Sequence, residues 1–203
     1  MQNLNLGRSE FGHSSNRGRI LSESEAKALL ESWVPNEKLR LHMRQVSHLM
    51  RIWADKKEGL DELQQKTWEQ AGLLHDADWE KWPEEHCRRI IEELEKREVD
   101  PDLIHAIASH GPRYFGVLPV TKMDKMLYAF DELSGFIHAY SLMRPEAYEG
   151  MEIKGVKKRL KDKTFAAGVS REDVYDACER AEISLDDLIR FIIENQIRNY
   201  TSC

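Results

Sequence analysis

The sequence predicts an all-α fold, and three observations support that prediction. The 203 residues include only 11 Gly and 6 Pro, few for an all-β or loop-rich protein. Charged residues make up 33 % of the chain, above the usual share of about a quarter, which suits helices with one solvated face. No segment alternates apolar and polar residues between hairpin signals, as a half-buried strand would. We therefore expect one sizeable domain built from helices.

Helix start and stop signals divide the chain into segments. Residues 1–20 are polar and lack apolar periodicity, which predicts a loosely ordered N-terminal tail. Ser22 and Glu25 have the spacing of a capping box and mark the first helix. Gly111-Pro112 and Pro145 are stop signals. The predicted helices cover approximately residues 22–33, 37–55, 61–75, 84–97, 101–110 and 122–143, with two more after the N-caps Ser170 and Ser184.

Charge, hydropathy and cysteine content exclude several classes of protein. The 30 basic and 36 acidic residues give a formal net charge of -6, which disfavours duplex DNA as a partner because DNA binding depends on neutralising phosphates. No apolar run approaches the roughly 20 residues of a membrane span, and Met1 to Arg19 lacks the apolar stretch of a secretory signal. The three cysteines are scattered, without a CxxC pair. We expect a reduced, cytoplasmic protein that binds neither duplex DNA nor a membrane.

Histidine and aspartate residues recur at inward-facing positions of the predicted helices. Asp131 interrupts an apolar run, and Asp76 follows Leu73-Leu74. An ionised carboxylate at such a position costs several kcal/mol unless it is paired or bound to a metal. Several charged imidazoles in the same interior would repel one another, whereas neutral imidazoles and carboxylates are natural ligands of a divalent cation. Nitrogen and oxygen ligands without a thiolate suit Mn, Fe, Co, Ni or Mg, and they do not exclude Zn.

The spacing of these residues along the chain is distinctive. His42 is followed by the dipeptide His75-Asp76, at the end of the apolar stretch AGLL, and then by Asp131. This order resembles the H…HD…D signature of the HD-domain superfamily of metal-dependent phosphohydrolases, over roughly residues 38–145. The motifs PEEH at 83–86, AIASH at 106–110 and DELSG at 131–135, with the basic stretch at 157–163, are similar to a bacterial branch of that superfamily.

The resemblance implies an architecture and a metal site. The fold would be a single HD-type helical bundle at residues 21–170, with residues 171–203 as a C-terminal helical extension packed on the core. One divalent cation would be bound by His42, His75, Asp76 and Asp131. A second would be bound by His86 and His110, with Asp76 bridging the two ions. The alternative is a single ion, with His86 supporting a ligand or contacting the substrate.

The resemblance and the local sequence also suggest catalytic and substrate-binding residues. Asp76 would act at the metal, and Asp78 or Glu80 would protonate the leaving group or orient a water, unless these two acids only form a polar rim. Six basic residues and one acidic residue lie between 154 and 163. The expected phosphate anchors are Arg113, Lys157, Lys158 and Lys163, although a charge run is usually a solvated helix face.

We therefore expect a metal-dependent phosphohydrolase in which a metal-activated water attacks a small phosphoester, such as a nucleotide. One or two divalent ions per chain are expected, and a homodimer is compatible with the sequence. Two alternatives remain open at this point. One is a di-iron oxygenase that uses all six ligands, and the other is a non-catalytic module that binds or senses a nucleotide.

Overall fold

The computed structural model describes residues 18–196, and the all-α prediction is confirmed in that part of the chain. Residues 18–196 contain ten α-helices and a 3₁₀ turn at Pro83–Glu85, and the only β-bridge among them pairs Arg19 with Val99. None of the helices described is long and apolar enough to cross a membrane. The helices are α1 (Glu23–Trp33), α2 (Glu37–Lys56), α3 (Glu62–Leu74), α4 (Arg88–Lys96), α5 (Pro101–Ala108), α6 (Pro112–Phe115), α7 (Lys122–Ser141), α8 (Ile153–Leu160), α9 (Arg171–Ala181) and α10 (Leu185–Asn195).

The predicted N-caps form as the sequence indicates. Ser22 accepts a hydrogen bond from the backbone N–H of Glu25, and the Glu25 carboxylate accepts the N–H of Ser22 in return. The side chains of Ser170 and Ser184 likewise cap α9 and α10. These bonds satisfy N–H groups that have no partner within the helix, so they fix where each helix begins.

Helix α7 lies at the centre of the bundle. Phe130, Leu133, Phe136 and Ile137 on this helix are fully buried. Helices α2, α3, α5, α8, α9 and α10 all contact α7. A side chain on the inner face of α7 therefore reaches the interior from the middle of the molecule, and Asp131 is at such a position.

Helices α2 and α3 approach each other closely. A Cβ atom added to Gly72 on α3 would lie 2.8 Å from the backbone of Ser47 on α2, so only glycine fits at this crossing. The two helices are consecutive, so His42 in the first half of α2 comes close to His75, which follows the last residue of α3.

The predicted helix at residues 84–97 is interrupted. The chain forms the 3₁₀ turn, passes through Cys87 with φ +16°, and begins α4 only at Arg88. Asp78 explains part of this break, because its Oδ2 accepts the backbone N–H of Ile90 in the first turn of α4 at 2.9 Å. Helix α5 also ends before its predicted end, at Ala108. As a result His86 and His110 both lie just outside a helix.

The C-terminal helices pack on the core. The Tyr128 hydroxyl on α7 donates to Asp173 and Asp176 of α9, and the ring centroids of Trp53 and Phe191 are 4.8 Å apart. At the N-terminal end of the described residues, the backbone of Arg19 forms hydrogen bonds with the backbone on either side of Val99. Most of the predicted N-terminal tail, residues 1–17, and the last residues of the predicted extension, 197–203, lie outside the described residues.

Candidate metal centre

Five parts of the chain bring the six predicted metal ligands together beside the middle of α7, where Asp131 lies. Helix α2 carries His42, the end of α3 leads into His75 and Asp76, and α7 carries Asp131. The break before α4 supplies His86, and the segment after α5 supplies His110. The six side chains form two groups whose potential ligand atoms are near one another, within 4.8 Å in each group.

The first group contains His42, His75, Asp76 and Asp131. The Nε2 atom of His42 lies 2.9 Å from Oδ1 of Asp131, and Nε2 of His75 lies 3.3 Å from the same oxygen. Oδ2 of Asp76 is 3.5 Å from His75 Nε2 and 3.9 Å from His42 Nε2. His75 Nε2 is buried and has no hydrogen-bond partner in the described chain. A buried nitrogen without a partner, facing two carboxylates, fits a cation bound between them.

The second group contains Asp76, His86 and His110. Oδ1 of Asp76 lies 3.3 Å from His86 Nε2 and 3.7 Å from His110 Nε2. Asp76 therefore directs one carboxylate oxygen toward each group. This arrangement fits a carboxylate shared by two cations, which in two-metal hydrolytic sites lie about 3.5–4 Å apart.

Hydrogen bonds on the far side of three imidazoles orient them toward the centre. Nδ1 of His75 donates to the carbonyl of Gly72 at 2.8 Å, and Nδ1 of His110 donates to the carbonyl of Ile107 at 2.6 Å. Nδ1 of His86 donates to Oδ1 of Asp78 at 2.6 Å. Each bond places the proton on Nδ1 and leaves Nε2 as the ligand atom, as outer partners of metal-binding histidines do.

The electrostatics of the metal-free centre also favour a cation. Burial by itself would lower the pKa of His75, but the charges of Asp76 and Asp131 outweigh it and raise that pKa to about 9. Burial also opposes the charged form of His86, but its hydrogen bonds to Asp76 and Asp78 and the charges of these residues outweigh burial and raise the pKa of His86 to about 9. Burial opposes ionisation of Asp76, yet the neighbouring imidazoles hold its pKa well below the usual range. Without a metal the carboxylates thus retain protons on the imidazoles, and a cation would take their place.

Asp78 lies behind the centre rather than in front of it. Its side chain is completely buried, and its two oxygens accept hydrogen bonds from His86 and from the N–H of Ile90. It is not among the residues that line the cavity described below. The predicted role as a proton donor to a leaving group therefore has no support in this geometry, which instead favours a residue that positions His86. Glu80 also faces elsewhere, because its carboxylate accepts the N–H of Asn36.

A cavity of about 390 Å³ opens beside the two groups. Besides the ligands, its wall includes four aromatic side chains and three carboxylates: Trp79, Tyr114, Phe115, Tyr128, Glu84, Glu132 and Asp173. The ring of Trp79 lies 4.9 Å from that of His86, and the ring of Phe115 lies 5.2 Å from it, measured between centroids. The two aromatic rings thus shield this imidazole and leave the cavity as the open side of the centre.

Glu132 is a cavity residue that the sequence did not single out. It follows Asp131 on α7, and its Oε2 accepts the backbone N–H of Ser170 at 3.2 Å. Burial and the charge of Asp131 raise the pKa of Glu132 to about 8. Cations held by Asp76 and Asp131 would offset negative charges that contribute to this shift. The available sequence signal was its position next to the last ligand of the motif.

The basic residues predicted to anchor phosphate do not line the cavity. Arg113 forms ion pairs with Glu172 and Asp173, the latter at 3.0 Å from its Nε. Lys157 pairs with Asp186 at 2.7 Å. Lys158 and Lys163 are exposed. The charge run at 154–163 corresponds to α8 and the turn after it, as expected for a solvated helix face.

Comparisons of the chain with protein-family models, with curated proteins and with solved structures found no match. The structure by itself shows a buried His/Asp cluster that could hold a metal ion. Its ligand types leave the identity of the metal open.

Proposed function

We propose that the protein is a metal-dependent phosphohydrolase of the HD type that cleaves a small phosphate monoester at this centre. The observation that carries the proposal is the shared carboxylate of Asp76, with one oxygen toward His75 and the other toward His86 and His110. Six ligands arranged in this way suit two divalent cations. The order of these ligands along the chain, which resembles the HD signature, supports the same reaction class.

Each part of the centre would have a distinct task. When bound, the cations would supply Lewis acidity toward a phosphoryl oxygen and a water of lowered pKa. Asp78 and the carbonyls of Gly72 and Ile107 hold the imidazoles in the tautomer that can bind metal. Trp79 and Phe115 exclude water from His86, while the cavity accommodates the rest of the substrate.

The test combines metal content with turnover in the same preparations. Full-length protein would be stripped with chelator and reloaded separately with Mn, Fe, Co, Ni, Mg or Zn, and p-nitrophenyl phosphate would serve as a general phosphomonoester. We expect elemental mass spectrometry to find one to two ions per chain and hydrolysis to require them. Asp76→Ala should lose both. Asp186→Ala, at an exposed position on α10, should retain both and provides the matched control.

Three outcomes would overturn the proposal. One is hydrolysis that persists in Asp76→Ala or that needs no metal. Another is oxygen uptake by the iron-loaded protein on addition of an organic substrate, without phosphate release, which would favour the di-iron oxygenase. The third is saturable nucleotide binding with no turnover in any metal form, which would favour a binding module.

A further inference from the structure

We infer that the substrate carries a positively charged amine at the end opposite its phosphoryl group. The inference rests on the proposed function for the phosphoryl end of the substrate. It rests on the cavity wall for the other end. It narrows the expected substrate from phosphoesters in general to phosphate monoesters of amines.

The charge of the cavity wall is the first argument. Beyond the metal ligands it contains Glu84, Glu132 and Asp173, and no lysine or arginine of the described chain lines it. The carboxylate of Asp173 is already matched, because Arg113 lies 3.0 Å away and Tyr128 donates to it. Glu84 is exposed to solvent. Beyond the metal ligands the cavity wall is therefore acidic, and Glu132 is the carboxyl in it without a cationic partner among the described residues.

The surroundings of Glu132 are the second argument. Its Oε2 accepts the N–H of Ser170, and its Oε1 has no hydrogen bond or ion pair within the described residues. Ionising a partly buried carboxyl that has no cation beside it is costly, so a ligand that supplies the cation stabilises the ionised form and gains the interaction. The residue is adjacent in sequence to Asp131, which places it within the span of a short molecule whose other end is at the metal centre.

The aromatic wall is the third argument. Tyr114, Phe115 and Trp79 line the same cavity as Glu132. Aromatic faces attract organic cations, by about 0.5–2 kcal/mol depending on how fully water is excluded. They would also pack against the methylene groups that join an amine to a phosphate. A second or third phosphoryl group would instead meet carboxylates, so nucleoside di- and triphosphates fit this wall poorly.

The test measures binding with two ligands of matched length that the protein cannot hydrolyse. Metal-loaded protein would be titrated calorimetrically with 3-aminopropylphosphonate and with butylphosphonate, in which a methyl group replaces the ammonium. We expect the amine to bind about tenfold more tightly or better, which corresponds to about 1.4 kcal/mol. Glu132→Gln should remove that preference. Glu92→Gln, at an exposed position on α4, should retain it, and metal content would be measured in every variant.

Equal affinity of the two phosphonates in the wild type, or binding of neither, would overturn the inference without reference to any variant. A preference that survives in Glu132→Gln would also overturn it, because the amine would then be recognised elsewhere. The proposed function has its own readout in p-nitrophenyl phosphate hydrolysis. Hydrolysis without an amine preference removes only the inference, whereas an amine preference without hydrolysis removes only the proposed function.

Discussion

Asp78 lies eight residues before His86 and accepts a hydrogen bond of 2.6 Å from its Nδ1. The same carboxylate caps the first turn of α4 through the N–H of Ile90. A buried carboxylate bound on both oxygens cannot reach a substrate, but it can fix the ring orientation and basicity of a metal ligand. At the scale of one residue, Asp78 links the start of a helix to the geometry of the second metal group.

Asp78→Asn tests this positioning role. The substitution preserves shape, but it replaces the carboxyl group that accepts from His86 with an amide. We expect the metal held by His86 and His110 to bind about 10–100-fold more weakly, as is typical when the outer partner of a ligand is lost. The metal held by His42, His75 and Asp131 should be nearly unaffected. Metal titration followed by elemental mass spectrometry measures both affinities.

A different result for Asp78→Asn would support the alternative role of Asp78 as a proton donor. In that case the variant would bind both metals normally, turn over slowly, and lose the acidic or basic limb of its pH–rate profile. Ser24→Ala, on the exposed face of α1, controls for general effects of a substitution.

The sequence predicts the roles of some residues of the candidate site and not of others. His42, His75, Asp76 and Asp131 were predictable because the motif fixes their spacing, and their inward positions follow from helical periodicity. The roles of Asp78 and Arg113 depend on partners that folding brings to them. Arg113 has the sequence context of a phosphate ligand, yet it pairs with Glu172, which is 59 residues away. Sequence alone does not show which charges neutralise one another.

At the scale of elements, the contact between α2 and α3 positions the first metal group. Gly72 lies three residues before His75, and a Cβ there would be 2.8 Å from the Ser47 backbone. The Gly72 carbonyl also orients His75 through its Nδ1. The close helix approach and the orientation of the ligand therefore depend on the same residue.

Gly72→Ala should separate the two helices slightly. We expect the free energy of unfolding to fall by about 1–3 kcal/mol, because backbone atoms rather than a flexible side chain meet the added methyl group. Equilibrium unfolding in urea measures this loss. Gly168→Ala is the matched control, since a Cβ at Gly168 meets nothing within 4 Å. Equal stability of the Gly72→Ala variant and the wild type would show that the helices do not depend on this close approach.

The elements themselves were largely predictable, and their interruptions were not. Capping residues such as Ser22 and Ser170 act on N–H groups a few residues away, so a local pattern suffices to locate the helix starts. The break at Cys87 depends on Asp78, which lies outside the helix that it interrupts. The apolar residues that predict this helix, Ile90, Ile91 and Leu94, all lie after the break and face the core, so their spacing does not reveal it.

At the scale of the whole molecule, the metal centre should determine how stability depends on pH. His75 and His86 have folded-state pKa values of about 9, above the ordinary value of 6.5. A histidine whose pKa rises on folding contributes stability that is fully present below its unfolded pKa and is lost as the pH rises through the folded pKa. Glu132, with its pKa raised to about 8, acts in the same direction. Burial lowers the pKa values of His48 and His138 from the ordinary value of 6.5. These two groups therefore change the stability only at a pH below about 6.5.

The metal-free protein should therefore become less stable between about pH 6.5 and 9, because the imidazolium charges that balance Asp76 and Asp131 are lost in that range. Chelator-treated protein would be unfolded with urea across this window, beside protein saturated with the activating metal. The metal-saturated protein should show the opposite trend, since a cation binds the neutral imidazoles and competes with protons for them. A metal-free protein whose stability is constant or increasing over this window would mean that protons on His75 and His86 do not balance the carboxylates. The two curves should thus diverge as the pH rises, and their separation at each pH measures how much of the stability of the bundle depends on a cation at its centre.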